Sequence, residues 1–256
     1  MTAVPDAELE RRRQAGAGAF WTKLTAEAAD ARVLQRDGGV VAAVLPRSPN
    51  RSVFNCAFYE DGAALLAVRD ELERVYRDAG IAAWTVWVLD GDTATAEALA
   101  AAGHVLDANP AAMGGVLAEM DLEPRGGVEV VRSDDWAAMA RLNAAAYGTP
   151  AEDWLAALGD QTAALGALYV VGEPADPDCC AFISTHEGNA EVCFVATRET
   201  ARGRGYASEL LRQALRDATA GGCDTTTLEA TKLGQPVYER MGFRVLGELQ
   251  MWERRL

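Results

Sequence analysis

One succession of elements is written twice into this 256-residue chain, and any fold for it has to accommodate both copies. In the second copy a helix is expected over 205–220. Ala207, Leu210, Leu211, Ala214, Leu215 and Ala218 fall on one face of it, and Glu209, Arg212, Arg216 and Asp217 on the other. Gly221-Gly222 stops it, and a strand over 225–230, a helix over 236–241 and Gly242-Phe243 follow. In the first copy a helix over 62–79 carries Leu65, Val68, Leu72, Val75 and Tyr76 on one face. Gly80, a strand over 83–89, a helix over 93–101 and Gly103-His104 complete that pattern. Repetition on this scale decides what each half must do alone, so it is weighed before the fold.

Glu123-Pro124-Arg125-Gly126-Gly127 is polar and rich in turn formers, and reads as a linker between a domain over 1–122 and one over 128–256. Further strands are expected over 128–132, 168–172, 180–186, 190–197 and 243–252, with helices over 135–147 and 151–164. Setting Gly80 on Gly222 places Glu60 and Asp61 opposite Arg202 and Gly203, and setting Gly103 on Gly242 places Leu99 opposite Tyr238. The first half thus has carboxylates where the second has a cation, and no phenol. It reads as a copy that has lost a ligand site.

A formal net charge of -14, with Lys23 and Lys232 as the lysines, offers no basic stripe for a nucleic-acid backbone; a cationic or neutral substrate suits this field better. Cys56, Cys179, Cys180, Cys193 and Cys223 form no C-x-x-C spacing, and with His104 and His186 as the histidines no metal site is expected. Free thiols of a reducing compartment are the ordinary reading. Met1-Thr2-Ala3-Val4-Pro5-Asp6 has no basic segment leading into an apolar one. The longest apolar run, Val40-Val41-Ala42-Ala43-Val44-Leu45, is far short of a membrane span, so a cytoplasmic protein without membrane partners is expected.

The chemistry concentrates at Arg202-Gly203-Arg204-Gly205-Tyr206-Ala207, between a strand and a helix. Glycines there let backbone N–H groups approach a phosphate, the helix N-terminus adds partial positive charge, and two arginines add full ones. A solvated turn would explain the loop alone equally well. The loop is preceded by Val192-Cys193-Phe194-Val195-Ala196-Thr197 and followed by Leu228-Glu229-Ala230-Thr231 and Gln235-Pro236-Val237-Tyr238-Glu239-Arg240-Met241-Gly242-Phe243. Over about 128–256 this set resembles the GNAT family of acetyl-CoA-dependent N-acetyltransferases.

The resemblance implies an α/β (α+β) fold: a mixed, mostly antiparallel sheet of about seven strands, flanked by helices and split between its fourth and fifth strands. Two such halves would stand in tandem, the first degenerate. It implies that Val195, Ala196 and Thr197 offer backbone groups to the pantetheine arm of acetyl-CoA, and that Arg202, Gly203, Arg204, Gly205, Tyr206, Ala207 and Ser208 hold the pyrophosphate. Thr200 stands where the family usually has Gln or Arg, and Thr231 where Asn is common. Tyr238 matches the general acid that protonates the departing thiolate, although a core-facing tyrosine is the bland alternative. Glu191, four residues before the pantetheine contact, matches the general base of histone-acetylating members; a solvent-facing glutamate is the alternative, with His186 and Glu229 in reserve. Cys193, without a histidine partner, reads as a structural thiol. The implied reaction is direct acetyl transfer to a primary amine, on a small molecule or a peptide, by a monomer or homodimer. A transferase of another acyl-CoA, or a non-catalytic acyl-CoA sensor, would share the loop.

Overall fold

Each half contributes most of one sheet, and each sheet takes one strand from the other half. In a computed structural model, described over residues 4–26, 28 and 30–256 apart from the side chains of 160 and 161, the chain opens with helix α1 (Asp6–Ala26). Strands β1 (Arg32–Arg36), β2 (Val40–Val44) and β3 (Cys56–Phe58) follow. Helix α2 (Gly62–Asp78), β4 (Ala83–Val88), α3 (Thr93–Ala101), β5 (Val105–Ala108) and β6 (Ala111–Val116) complete the first half. The second half runs β7 (Val130–Ser133), α4 (Trp136–Tyr147), α5 (Ala151–Ala157), β8 (Gly166–Glu173), β9 (Asp176–His186) and β10 (Asn189–Thr197). It ends with α6 (Tyr206–Ala220), β11 (Thr225–Ala230), α7 (Gln235–Glu239), β12 (Arg244–Glu248) and β13 (Gln250–Arg255). Met1-Thr2-Ala3, read above for a leader, lies outside the described residues.

The strands form a six-stranded sheet, β1-β2-β3-β4-β13-β5, and a seven-stranded sheet, β12-β6-β11-β10-β9-β8-β7. Each has a parallel pair, β3 with β4 and β10 with β11, beside antiparallel pairs such as β13 with β4 and β11 with β6. The duplicated helix-strand-helix pattern therefore corresponds to equivalent places in two mixed, helix-flanked sheets.

The expected division at 123–127 does not follow the packing. One compact unit is residues 1–20 with 111–246, the other 21–110 with 247–256. β6 pairs with β11 from Ala111 opposite Ala230 to Val116 opposite Thr225, and β13 pairs with β4 from Gln250 opposite Val88 to Arg255 opposite Ala83. The strand expected over 243–252 is accordingly two strands, parted at Leu249, whose N–H donates to the Pro110 carbonyl at 2.9 Å. β6 escaped sequence reading because Ala-Ala-Met-Gly-Gly-Val lacks the β-branched alternation of a strand. Its glycines serve close packing: a β-carbon on Gly114 would stand 3.1–3.2 Å from atoms of Leu246 and Leu9.

In the seven-stranded unit, Ala190, Val192, Leu228 and Ala230 pack with Leu210, Leu211, Ala214 and Leu215 of α6. Alternation along the strands turns Asn189, Glu191, Thr227 and Glu229 to the opposite face. There α1 brings Gly16 against Glu191, and α4 brings Asn143 against Cys180.

In the six-stranded unit, Tyr76 stacks on Trp84 with ring centroids 4.7 Å apart, and His104 meets Trp84 edge-on at 4.8 Å. Burial pushes the His104 imidazole down to about 4, with Arg254 and Arg69 adding to the shift and the Trp252 carbonyl opposing it. The folded state holds the ring neutral while the unfolded chain binds a proton near pH 6.5, so this contribution is complete above pH 6.5 and is lost as pH falls toward 4. At about 1.4 kcal/mol per unit it amounts to about 3 kcal/mol. Urea midpoints measured from pH 7 to 5 should fall in the natural protein, and His104→Gln should flatten that slope.

Candidate active site

The site begins where two paired strands part. β10 and β11 are in register only from Asn189 opposite Thr225 to Glu191 opposite Thr227, so β10 beyond Glu191 has no neighbour on that side. On its other side, β10 pairs with β9 as far as Cys193 and resumes at Ala196. Between them Phe194 takes φ 51°, a left-handed conformation that costs a non-glycine residue about 1–3 kcal/mol. Asn143, fully buried on α4, holds the bulge by donating from Nδ2 to the Phe194 carbonyl at 3.2 Å. The Phe194 ring packs against Phe20 and Trp154, each at 5.8 Å between centroids. Sequence reading missed Asn143, although a polar residue on the apolar face of an alanine-rich helix was the available signal. Asn143→Leu is expected to cost about 1–3 kcal/mol and to weaken whatever binds along the freed edge of β10; thermal melts with and without ligand check both.

A cavity of about 530 Å³ opens into the gap. Val195, Ala196 and Thr197 line it from β10. Arg202, Gly203, Gly205, Tyr206, Ala207 and Ser208 line it from the loop and the first turn of α6, and Thr231 from the end of β11. Arg204 turns to an adjoining hollow of about 500 Å³ shared with Arg125, Arg212 and Arg240. Gly203 and Gly205 have φ 76° and 79°, which L residues rarely adopt, and nothing lies within 4 Å of where their β-carbons would be. α6 starts on Gly205 with no side chain capping it, leaving its first amides directed outward. Arg202 donates to the Thr197 carbonyl at 3.3 Å and Arg204 to the Thr200 carbonyl at 3.1 Å; among the described residues neither meets a carboxylate. A phosphate ester fits this lining: bare amides, a helix N-terminus and uncompensated guanidinium groups.

Tyr238 forms another part of the wall, its body buried against Phe243 at 5.7 Å between centroids. The short helix α7 aims it. Phe243 and Met241 both donate their N–H to its carbonyl, at 3.1 and 2.9 Å, and a β-carbon on Gly234 would come within 3.1 Å of the ring. Burial, first of all, raises the phenol, with smaller contributions from Tyr147 and Cys179, so it keeps its proton. Among the described residues its hydroxyl has no hydrogen-bond partner.

Glu191 is not part of the wall. It is 4% exposed, turned toward α1, and among the described residues its Oε2 has no hydrogen-bond partner. Burial pushes its carboxyl well above the usual range, the Glu229 charge adding and Arg13 opposing. Glu229, held in reserve on sequence grounds, does line the cavity, and Arg13 of α1 contacts it at 2.6 Å. No pattern in the first twenty residues disclosed Arg13, which stands in the run Arg11-Arg12-Arg13 between Glu10 and Gln14. Burial raises the thiols of Cys179, to about 11, and of Cys180 and Cys193, so none is a ready nucleophile.

The first half has closed the equivalent place. The N–H groups of Glu60 and Asp61 both donate to the Gly38 carbonyl at 3.0 Å, and the Asp61 side chain caps Ala63. A β-carbon on Gly62 would fall 2.2 Å from Thr95 Oγ1 and 2.6 Å from Asp92 Oδ2, and Leu99 occupies the position matching Tyr238, fully buried. Among the described residues no group of three or more His, Cys, Asp or Glu side chains is placed to hold a metal, and no helix is long and apolar enough to cross a membrane.

The model of the Acetyltransferase (GNAT) family matches residues 116–243. A search of curated proteins by sequence returned no match. Among solved structures, a GCN5-related N-acetyltransferase from Kribbella flavida superposes with a TM-score of 0.66 at 16% identity, over 93% of this chain and 95% of that one. A GNAT acetyltransferase from Novosphingobium aromaticivorans gives 0.54 at 18%, over 85% and 88%. A tandem GNAT protein from the clavulanic acid biosynthesis pathway gives 0.57 at 13%, over 96% and 95%. At these identities the likeness is one of fold, including its arrangement in two halves.

Proposed function

Because the chain belongs to the GNAT acetyltransferase family, which generally uses acetyl-CoA, we propose that it transfers the acetyl group of acetyl-CoA directly to a primary amine on a small molecule or peptide. The observation that carries this reading is a single cavity bounded by the freed edge of β10, the two left-handed glycines before α6, and Tyr238. Acetyl-CoA would supply an activated carbonyl and a thiolate leaving group.

The chain's own residues then have distinct tasks. Amides at Gly203 to Ser208 and the guanidinium groups of Arg202 and Arg204 bind the pyrophosphate. Backbone groups at Val195, Ala196 and Thr197, on the edge of β10 that has parted from β11, align the pantetheine amides as an added strand would, with the Thr197 carbonyl exchanging its bond from Arg202. Thr231 closes the far side, although its hydroxyl already accepts from the Gly234 N–H at 3.2 Å. Tyr238 retains its proton until negative charge appears on sulfur, then donates it. The cavity's apolar members, Val192 and Phe194 among them, exclude water from the carbonyl.

Thiol release from acetyl-CoA, measured against a library of amines, tests the reaction. Turnover with an amine and none without one is the expected result. Stabilisation by acetyl-CoA with no amine consumed would indicate a sensor; stronger stabilisation by another acyl-CoA would indicate another donor.

A further inference from the structure

Arg13 is 2% exposed, on a helix encoded at the start of the chain, yet its guanidinium reaches Glu229, a residue of the cavity wall. Nη1 lies 2.6 Å from Glu229 Oε1, and Nε and Nη2 lie 2.8 and 2.7 Å from the two oxygens of Glu10. Three residues on, Gly16 faces Glu191: a β-carbon there would stand 2.9 Å from Glu191 Oε2. Glu191 and Glu229 occupy neighbouring strands on one face of the sheet, Glu191 being in register with Thr227. One carboxylate reaches the cavity, a second lies buried nearby, and a buried cation from α1 grips the first.

As a stabilising device this arrangement is poor. A buried ion pair contributes little net stability, and here a neighbouring carboxyl oxygen is left without a hydrogen-bond partner among the described residues. As a device for holding one charge at one point of a cavity wall, it is well built. Resting on the acetyl-transfer reading, we propose that Glu229 takes the proton of the acceptor ammonium and that Arg13 of α1 is the positioning residue that orients it. The N–H bond breaks, the proton passes to the carboxylate, and the nitrogen lone pair is freed to attack. Burial holds Glu191 neutral, and the Arg13 guanidinium is shared between the carboxylates of Glu10 and Glu229. Among the described residues, the charged and titratable groups around Glu229 are Arg13 of α1, itself held by Glu10, Glu191 and Cys193 of β10, and Arg202 and Arg240 of the cavity lining. Its partner on β6 is Ala112, and Tyr147 and Tyr238 line the same cavity.

Glu229→Gln is expected to lower kcat about 100-fold while leaving acetyl-CoA stabilisation in place. Arg13→Met should lower kcat about 10-fold while leaving acetyl-CoA stabilisation in place, and should cost nothing further in a Glu229→Gln background, because a partner that acts only through the carboxylate has nothing left to orient. Arg13→Lys should recover most of that kcat. A natural rate in Glu229→Gln, or losses from the two variants that simply add, overturns the assignment. Infrared difference spectra report without turnover: a carboxylate stretch that moves in Arg13→Met should be missing in Glu229→Gln. A spectrum that Arg13→Met leaves unmoved refutes the role of Arg13 whether or not any amine is acetylated, whereas the expected spectrum in a protein that acetylates nothing indicts the transfer reading instead.

Discussion

Residues 128–256 expressed alone should fail to give a cooperatively folded monomer, whereas the full chain cut within 123–127 should stay in one piece. The reason is strand exchange. The isolated segment lacks β6, which pairs with β11 along its whole length and lies between β11 and β12. It also lacks the part of α1 that covers Glu191, and it keeps a β13 whose partners, β4 and β5, are absent. Met113 of β6 is fully buried, and removing it alone forfeits about 1.5–3 kcal/mol of a total stability of about 5–15 kcal/mol. Unpaired strand edges then invite association. Circular dichroism melts and size exclusion with light scattering would show aggregate or a transition without cooperativity; a soluble monomer with a sharp melt would contradict the exchange. For the cut chain, with a protease site placed at Gly126-Gly127, co-elution of both fragments in native buffer and separation only in denaturant are expected.

Tyr238→Phe should reduce kcat about 100-fold or more and change little else. A positioned general acid contributes 10²–10⁴-fold, and the hydroxyl accounts for none of the packing, which rests on the ring against Phe243 and Gly234. Stability should hold to within about 1 kcal/mol because no hydrogen bond to the phenol is lost among the described residues. The shift in Tm caused by acetyl-CoA should also persist, because the pyrophosphate loop is untouched. Unchanged turnover would discard the acid role; loss of both turnover and binding would mean that the ring alone shapes the cavity.

Much of this could be read from the chain itself, for an identifiable reason. Helical periodicity in α2 and α6, glycine stops and the loop before α6 are local features, set by neighbours a few residues away, and the duplication set Glu60, Asp61 and Leu99 opposite Arg202, Gly203 and Tyr238. Glu191 shows where such reading stops. Its place on β10 was correct, but the side of the sheet it serves depends on α1, and α1 is distant in sequence.

The sequence by itself determined the family, the glycine-rich loop before α6, the candidate acid and the carboxylates that stand at the matching turn of the first half, because each rests on residue types at short spacing. Only the tertiary structure decided that the halves exchange β6 and β13, that Asn143 holds the bulge at Phe194, and that Arg13 meets Glu229. Pairing between distant strands is set by which edges remain open once local elements form, and burial of a charge by what else arrives to cover it; neither leaves a periodic trace in the chain.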